Sequence, residues 1–328
     1  MNSNKIFGVL SALLGVVAVA FIVLTVGNFS GKKGAEQSYV EEINGGEFVT
    51  ASQVDFDSAA TQLKGLVSND YEGTVFPEGM LEKFKAAYAV NNELVGWLSI
   101  PGTELDTAVT QCGDNNKYIK YDYYNQYTSD MTGYNYGNLF LDYRCINNGL
   151  SKNMVIFGHT TGRASGIPKQ VYRSLYDYKD MNHFIKNPII KYSTLYGEYT
   201  YKICAVFLST TQRKDDNGYM FNYIYPDMSD ENMVGYINQV RERMLYETGV
   251  TLEPTDKIIT LSTCIYDYGA SVDTRLVVVG RLLHEGETEA IDASLVKDNP
   301  DYRRPQVWYN RQGIVNPYKD SERWEPKA

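Results

Sequence analysis

The chain has 328 residues, 43% hydrophobic and 22% charged, an ordinary globular composition with room for one large domain or two small ones. A formal charge of -9 at pH 7 argues against nucleic acid and against a polybasic membrane surface as partners. Tyrosine is over-used, at 28 copies against 12 Phe; it suits a β-rich protein with a groove for an extended ligand, although a biased base composition gives the same excess.

Residues 1–5 are expected to form a short cytoplasmic N-terminus ahead of 6–27, an uncharged and almost wholly apolar run. At ~1.5 Å per residue, that run can cross a hydrocarbon core of ~30 Å. A cleaved signal peptide has an apolar core of only ~7–15 residues followed by a small-residue cleavage site, and neither fits, so a single-pass transmembrane anchor is expected. Lys5 before it and Lys32 and Lys33 after it orient it only weakly. A large domain following one amino-terminal span is expected outside the cell. Residues 28–75 read as a stalk, polar in their first half and carrying Gly31, Gly34, Gly45 and Gly46.

The compact domain is expected over 76–284. It opens with a helix over 76–91, where Pro77 suits the first turn, Glu78 and Glu82 favour the positive end of the dipole, and Leu81, Phe84, Ala87 and Tyr88 share a face. Short strands follow. Residues 95–100 alternate, Pro101-Gly102 turns, and 105–110 return as a hairpin. Further strands are predicted at 137–143 and at 153–157, the latter running into Gly158-His159, then a helix over 171–186 and a hairpin of 189–195 with 199–210. The segment 229–246 reads as a helix capped by Ser229 or Asp230, with Met233, Tyr236, Ile237, Val240 and Met244 on one face. Two β-branched runs, 258–261 and 276–279, complete the set. About eight strands with few helices predict a mainly β fold closed into a barrel rather than a doubly wound sheet. Residues 285–328 start with Glu285, Glu287 and Glu289 and become rich in Pro, Tyr and Arg. They read as an irregular extension draped on the surface, with an appended partner-binding segment as the alternative.

Cys112, Cys145, Cys204 and Cys264 show no CxxC pairing and no histidine at zinc spacing, so no metal site and no cofactor is expected. Cys204 lies in an apolar run and reads as a small buried hydrophobe; a Cys112–Cys145 bridge stays open. Cys264 ends one strand and Arg275 begins the next. If those strands are neighbours, a thiol and a guanidinium share one rim, an arrangement suited to nucleophilic catalysis with a cationic stabiliser. A base is needed as well, because a free thiol of pKa ~8.5 is only slightly ionised near neutrality. Of His159, His183 and His284, only His159 ends a strand and opens a loop, where functional side chains collect. Spacing alone also leaves open a buried thiol and a structural ion pair.

Thr260-Leu261-Ser262-Thr263-Cys264, followed by Arg275 on a Val-rich strand, resembles the signature of the sortases. Asn92-Glu93-Leu94-Val95-Gly96-Trp97, Ile100-Pro101-Gly102-Thr103, Asp114-Asn115-Asn116-Lys117-Tyr118-Ile119, Phe140-Leu141-Asp142-Tyr143-Arg144 and Ile156-Phe157-Gly158-His159 are similar, in order, to class B of that family. So is a helix between the sixth and seventh strands. The resemblance covers about residues 78–283. It implies an eight-stranded sortase barrel and an extracellular cysteine transpeptidase of Gram-positive cells. By that resemblance Cys264 attacks a Thr carbonyl in a sorting signal near a surface protein's carboxy terminus. His159 is the general acid/base and Arg275 holds the substrate backbone and the oxyanion. The thioester is resolved by an amine of a peptidoglycan precursor, or by a pilin lysine if the enzyme polymerises pili. Asn115, Ile119, Tyr223, Ile224, Ser262 and Thr263 match the family's substrate groove, and Tyr223 and Ile224, just before Pro226, are expected as exposed apolar groups on a loop. Two positions depart from the pattern: Phe157 stands where the family often has Tyr, and Ile265 where some members have an acidic residue. A rival class is a catalytically silent, membrane-tethered binding domain on the same barrel.

Overall fold

The computed structural model describes residues 71, 73–128, 137–160, 171–269 and 271–327. The expected anchor 6–27 and almost all of the stalk lie outside the described residues; among those described, no helix is long and apolar enough to cross a membrane.

Eight strands close into a barrel. They are β1 (Leu94–Ser99), β2 (Asp106–Thr110), β3 (Leu139–Leu141), β4 (Asn153–Phe157), β5 (Ile189–Thr194), β6 (Glu198–Thr210), β8 (Ile258–Ile265) and β9 (Thr274–Leu282). Their order around the barrel is β1-β2-β3-β4-β8-β9-β6-β5, closed by antiparallel pairing of β1 with β5. Only β2–β3 and β4–β8 pair in parallel. β4, β8 and most of β9 are buried along their length, which explains why their sequences read as continuous apolar runs rather than alternations. The two-residue β7 (Tyr246–Glu247) pairs with β10 (Lys297–Asp298) in a small separate ribbon.

The helices are α1 (Lys85–Val90), α2 (Met181–Lys186), α3 (Asp230–Arg243) and α4 (Gln306–Gln312). α3 falls between β6 and β8, the sixth and seventh barrel strands, and Ser229 caps it by accepting from Asn232 N at 3.1 Å. The opening helix is shorter than the periodicity predicts. Gly79 takes a left-handed φ of +77° and Leu81 is extended, donating from its N to Leu195 O at 2.8 Å. A 3-10 turn Glu82–Phe84 therefore precedes α1, which keeps Phe84 and Ala87 buried against Leu94, Ala108 and Leu195. The helix expected over 171–186 is likewise a 3-10 stretch, Val171–Lys179, followed by α2; extended Asp180 interrupts it and caps α2 by accepting from Asn182 N at 2.9 Å.

Tyrosine serves the core more than a groove. Tyr118, Tyr172, Tyr192, Tyr201 and Tyr236 are among the largest fully buried side chains. Several find internal acceptors: the Tyr172 hydroxyl donates to Ile156 O at 3.0 Å and the Tyr246 hydroxyl to Tyr178 O at 2.8 Å.

The C-terminal residues are docked rather than draped. Trp324 is buried 5.8 Å from the Phe221 ring and 6.0 Å from that of Tyr236. It occupies the space a Cβ would need at Gly235 of α3, 2.0 Å from Trp324 Cδ1. Gln239 of α3 donates to Glu322 O at 2.9 Å, and Arg303 pairs with Glu242 at 2.9 Å.

Candidate active site

Strand register builds the site. In the β8–β9 ladder Cys264 and Arg275 are direct partners, so their side chains share a face. β4 runs parallel to β8 with Phe157 opposite Ser262, and Gly158 N donates to Ser262 O at 3.3 Å. β4 ends at Phe157, and continuing its register by two residues brings His159 level with Cys264. The Thr160 hydroxyl fixes that approach by donating to Cys264 O. Gly158 permits it, because a Cβ there would lie 2.1 Å from Leu139 Cδ2 and 3.0 Å from the Tyr172 ring.

All three side chains are buried, Arg275 to 1% exposure, and a cation so enclosed needs a counter-charge. Asp273 supplies it. Arg275 Nη1 donates to Asp273 Oδ1 and Nη2 to Oδ2 at 3.2 Å, while Thr211 Oγ1 donates to Oδ2 at 2.5 Å. The sequence reading missed Asp273. The available signal was its place two residues before Arg275, since alternate residues of a strand share a face. Burial, and then the charge of Arg275, lower the His159 pKa to about 3, so its imidazole is neutral in the resting site.

The six groove candidates separate. Ser262 shares the face of Cys264 and its Oγ lies 2.9 Å from the Tyr223 hydroxyl; Thr263, paired with Leu276, falls on the opposite face. Tyr223 and Ile224 are not exposed but 1% accessible each, because Tyr223 is packed against Phe207 and Phe221 and held to Ser262. Asn115 is a buried bracket: its Nδ2 donates to Asp142 Oδ2 at 3.2 Å and its Oδ1 accepts from Tyr143 N at 3.0 Å. Asp142 in turn holds Arg144, which donates to Ile224 O at 3.1 Å. Ile119 is fully buried in the 3-10 turn Lys117–Ile119.

The remaining histidines sit elsewhere in structural roles, His183 edge-on to Tyr178 at 4.7 Å and His284 paired with Asp256 at 2.6 Å. None of the four cysteines is in a disulfide, so Cys112 and Cys145 are not bridged. Burial pushes Cys145 and Cys204 up to about 12, which makes both inert thiols at neutral pH. Among the described residues no group of three His, Cys, Asp or Glu is placed to hold a metal ion. A thiol, a neutral imidazole and an anchored guanidinium on adjacent strands are equipped for acyl transfer through a thioester.

No family model matches the chain. Sortase B of Listeria monocytogenes is 29% identical over 273 residues, covering 81% of this chain and 96% of that protein. Sortase B of Staphylococcus aureus is 26% identical over 207 residues, 63% of this chain and 77% of that protein. A solved Staphylococcus aureus sortase B–substrate complex shares the fold with a TM-score of 0.53 at 24% identity, over 69% of this chain and 94% of that chain. A closed eight-stranded barrel and these relatives along most of the chain's length support a class B sortase, and with it a cysteine transpeptidase.

Proposed function

We propose that the protein is anchored in the membrane through residues 6–27 and works outside the cell. There it cleaves a surface protein's C-terminal sorting signal after Thr and passes the protein to an amine of the cell wall. The observation that carries this reading is the register that makes Cys264 the direct partner of Arg275 and brings His159 in from β4. Neutral His159 takes the Cys264 proton as sulfur attacks the Thr carbonyl carbon. Arg275, fixed by Asp273, stabilises the oxyanion. The imidazolium then protonates the leaving amine, the C–N bond breaks, and a thioester remains on Cys264. An incoming amine attacks the thioester carbonyl and gives its proton to His159, and the thiol is released as the new amide forms. A staphylococcal sortase B solved with substrate and a sortase B solved with triglycine support a peptide donor and an amine acceptor of this kind.

The test incubates full-length protein in mild detergent with peptides of the Asn-Pro-x-Thr and Leu-Pro-x-Thr-Gly types, with and without triglycine. Ligated product that grows with added amine and vanishes in Cys264→Ala supports transpeptidation. Cleavage that persists in Cys264→Ala, or is indifferent to any amine, contradicts it.

A further inference from the structure

Residues 266–273 join β8 to β9 and so tether Cys264 to Arg275. Among the described residues of this stretch, Gly269 N donates to Tyr266 O at 2.9 Å and Val272 N to Gly269 O at 3.0 Å, with Gly269 at a left-handed φ of +93°. Tyr266 is exposed while Tyr268 and Val272 are buried, so the turn depends on what packs against it. It is bracketed from outside. On one side Lys179, ending the 3-10 stretch, pairs with Asp267.

The C-terminal segment stands on the other side. Arg311 of α4 donates from Nη2 to Ser271 Oγ at 3.2 Å, and its Nη1 lies over Gly269 where a Cβ would approach it to 2.7 Å. Tyr268 is buried beside Tyr302 and Arg304. Arg304 is sandwiched by rings of its own segment, 3.7 Å from the Tyr302 centroid and 4.5 Å from that of Trp308.

The same segment is moored on α3 by Trp324, Glu322 and Arg303, and at the N-terminus of α4 by Gln306 N donating to Asp216 Oδ1 at 2.9 Å. A second line of contact runs from Trp324 to Phe221 at 5.8 Å, on to Tyr223 at 6.2 Å, and through the Tyr223–Ser262 hydrogen bond at 2.9 Å. Ser262 lies two residues before Cys264 on the same face. The segment therefore touches the loop directly and is linked to the nucleophile strand through Phe221 and Tyr223.

We infer that residues 299–327 are a strap that sets the geometry of the loop between Cys264 and Arg275, with Arg311 and Tyr302 as positioning residues for the transpeptidase reaction. Acyl transfer needs thiol and guanidinium held to about 0.5 Å of a productive arrangement, and the turn alone does not supply that stiffness. The effect on turnover rests on the transpeptidase reading; the effect on the loop does not.

The experiment compares full-length wild type with Arg311→Ala, Arg311→Lys and Tyr302→Ala. Three quantities are read: amide exchange over 266–273, the rate of Cys264 alkylation by iodoacetamide with half-exposed Cys112 as internal reference, and kcat and KM with a sorting peptide. The strap predicts roughly tenfold faster exchange over 266–273 in both Ala variants, with β1 and β5 unchanged. It predicts a Cys264-to-Cys112 alkylation ratio altered by at least about threefold and kcat reduced by roughly tenfold at nearly constant KM, with Arg311→Lys intermediate. Exchange and alkylation matching wild type in Arg311→Ala would overturn it, as would a loosened loop with undiminished kcat. If Tyr302→Ala fails to fold, exposed Arg311 decides alone. A wild type that turns over no sorting peptide sinks the transpeptidase reading, while exchange and alkylation still decide the strap.

Discussion

Asp273 and His159 show how two side chains adapt to one buried cation. Arg275 is enclosed with its neighbour's carboxylate as counter-ion, and that carboxylate is also an acceptor for Thr211. Asp273→Ala leaves the guanidinium buried without that compensation, which costs about 3–5 kcal/mol; chemical unfolding should read that loss, and kcat should fall by more than about tenfold because the proposed oxyanion donor is no longer aimed. Asp273→Asn, which keeps acceptor and shape, should fall between the two. The His159 pKa is lowered by burial first and by the same charge second. Its folded value of about 3 lies below the ordinary value of 6.5, so between those pH values the unfolded chain binds the proton that the folded one refuses. The contribution to stability is complete above about pH 6.5 and is lost as pH falls, by up to about 1.4 kcal/mol per unit. Denaturant midpoints measured from pH 7 to pH 4 should therefore drop more steeply for wild type than for His159→Gln. Equal slopes would show that His159 is not held neutral.

Strand register brings the proposed catalytic residues together, and that register was partly legible. Runs 258–261 and 276–279 are apolar and β-branched, and placing Cys264 and Arg275 at their facing ends needed only that the two pair. His159 required a parallel crossover between β4 and β8, which periodicity does not encode; its position at a strand end was the usable clue. Tyr223 and Ile224 misled because a polar, Pro-containing neighbourhood reads as surface, whereas the Tyr223 hydroxyl is satisfied by Ser262 and its ring by Phe207 and Phe221. The opening helix was overextended because Gly79 and Leu81 take turn and extended conformations set by contact with Leu195, a residue remote in the chain. Gly158 is the element-scale test. Gly158→Ala pushes a methyl into Leu139 and Tyr172 at the exit of β4, an overpacking cost of about 1–3 kcal/mol. A lowered melting temperature with at least about tenfold loss of turnover is expected, since His159 is the next residue. Wild-type activity in a folded Gly158→Ala would show that the exit of β4 does not control the imidazole.

Over the whole molecule, the barrel and the chain after residue 284 behave as one packed body. The acidic stretch turns back at once: Glu287 pairs with Arg281 of β9 at 2.6 Å and with Lys202 of β6 at 2.8 Å. Trp324 then fills a notch on α3 that only Gly235 leaves open. Local sequence could not reveal this docking, because its partners are separated by eighty or so residues, as in Gln239 with Glu322. Trp324→Ala should cost about 3–5 kcal/mol by urea unfolding, the penalty of an emptied aromatic site; a change under about 0.5 kcal/mol, typical of a surface position, would contradict docking. The central claim is nucleophilic catalysis by Cys264, and intact-protein mass spectrometry after brief mixing with a sorting peptide and no amine tests it most directly. The account predicts an adduct of the peptide's acyl portion through Thr, mapped to Cys264, lost in Cys264→Ala and discharged by added triglycine. An adduct on another residue, or turnover that survives Cys264→Ala, would contradict it.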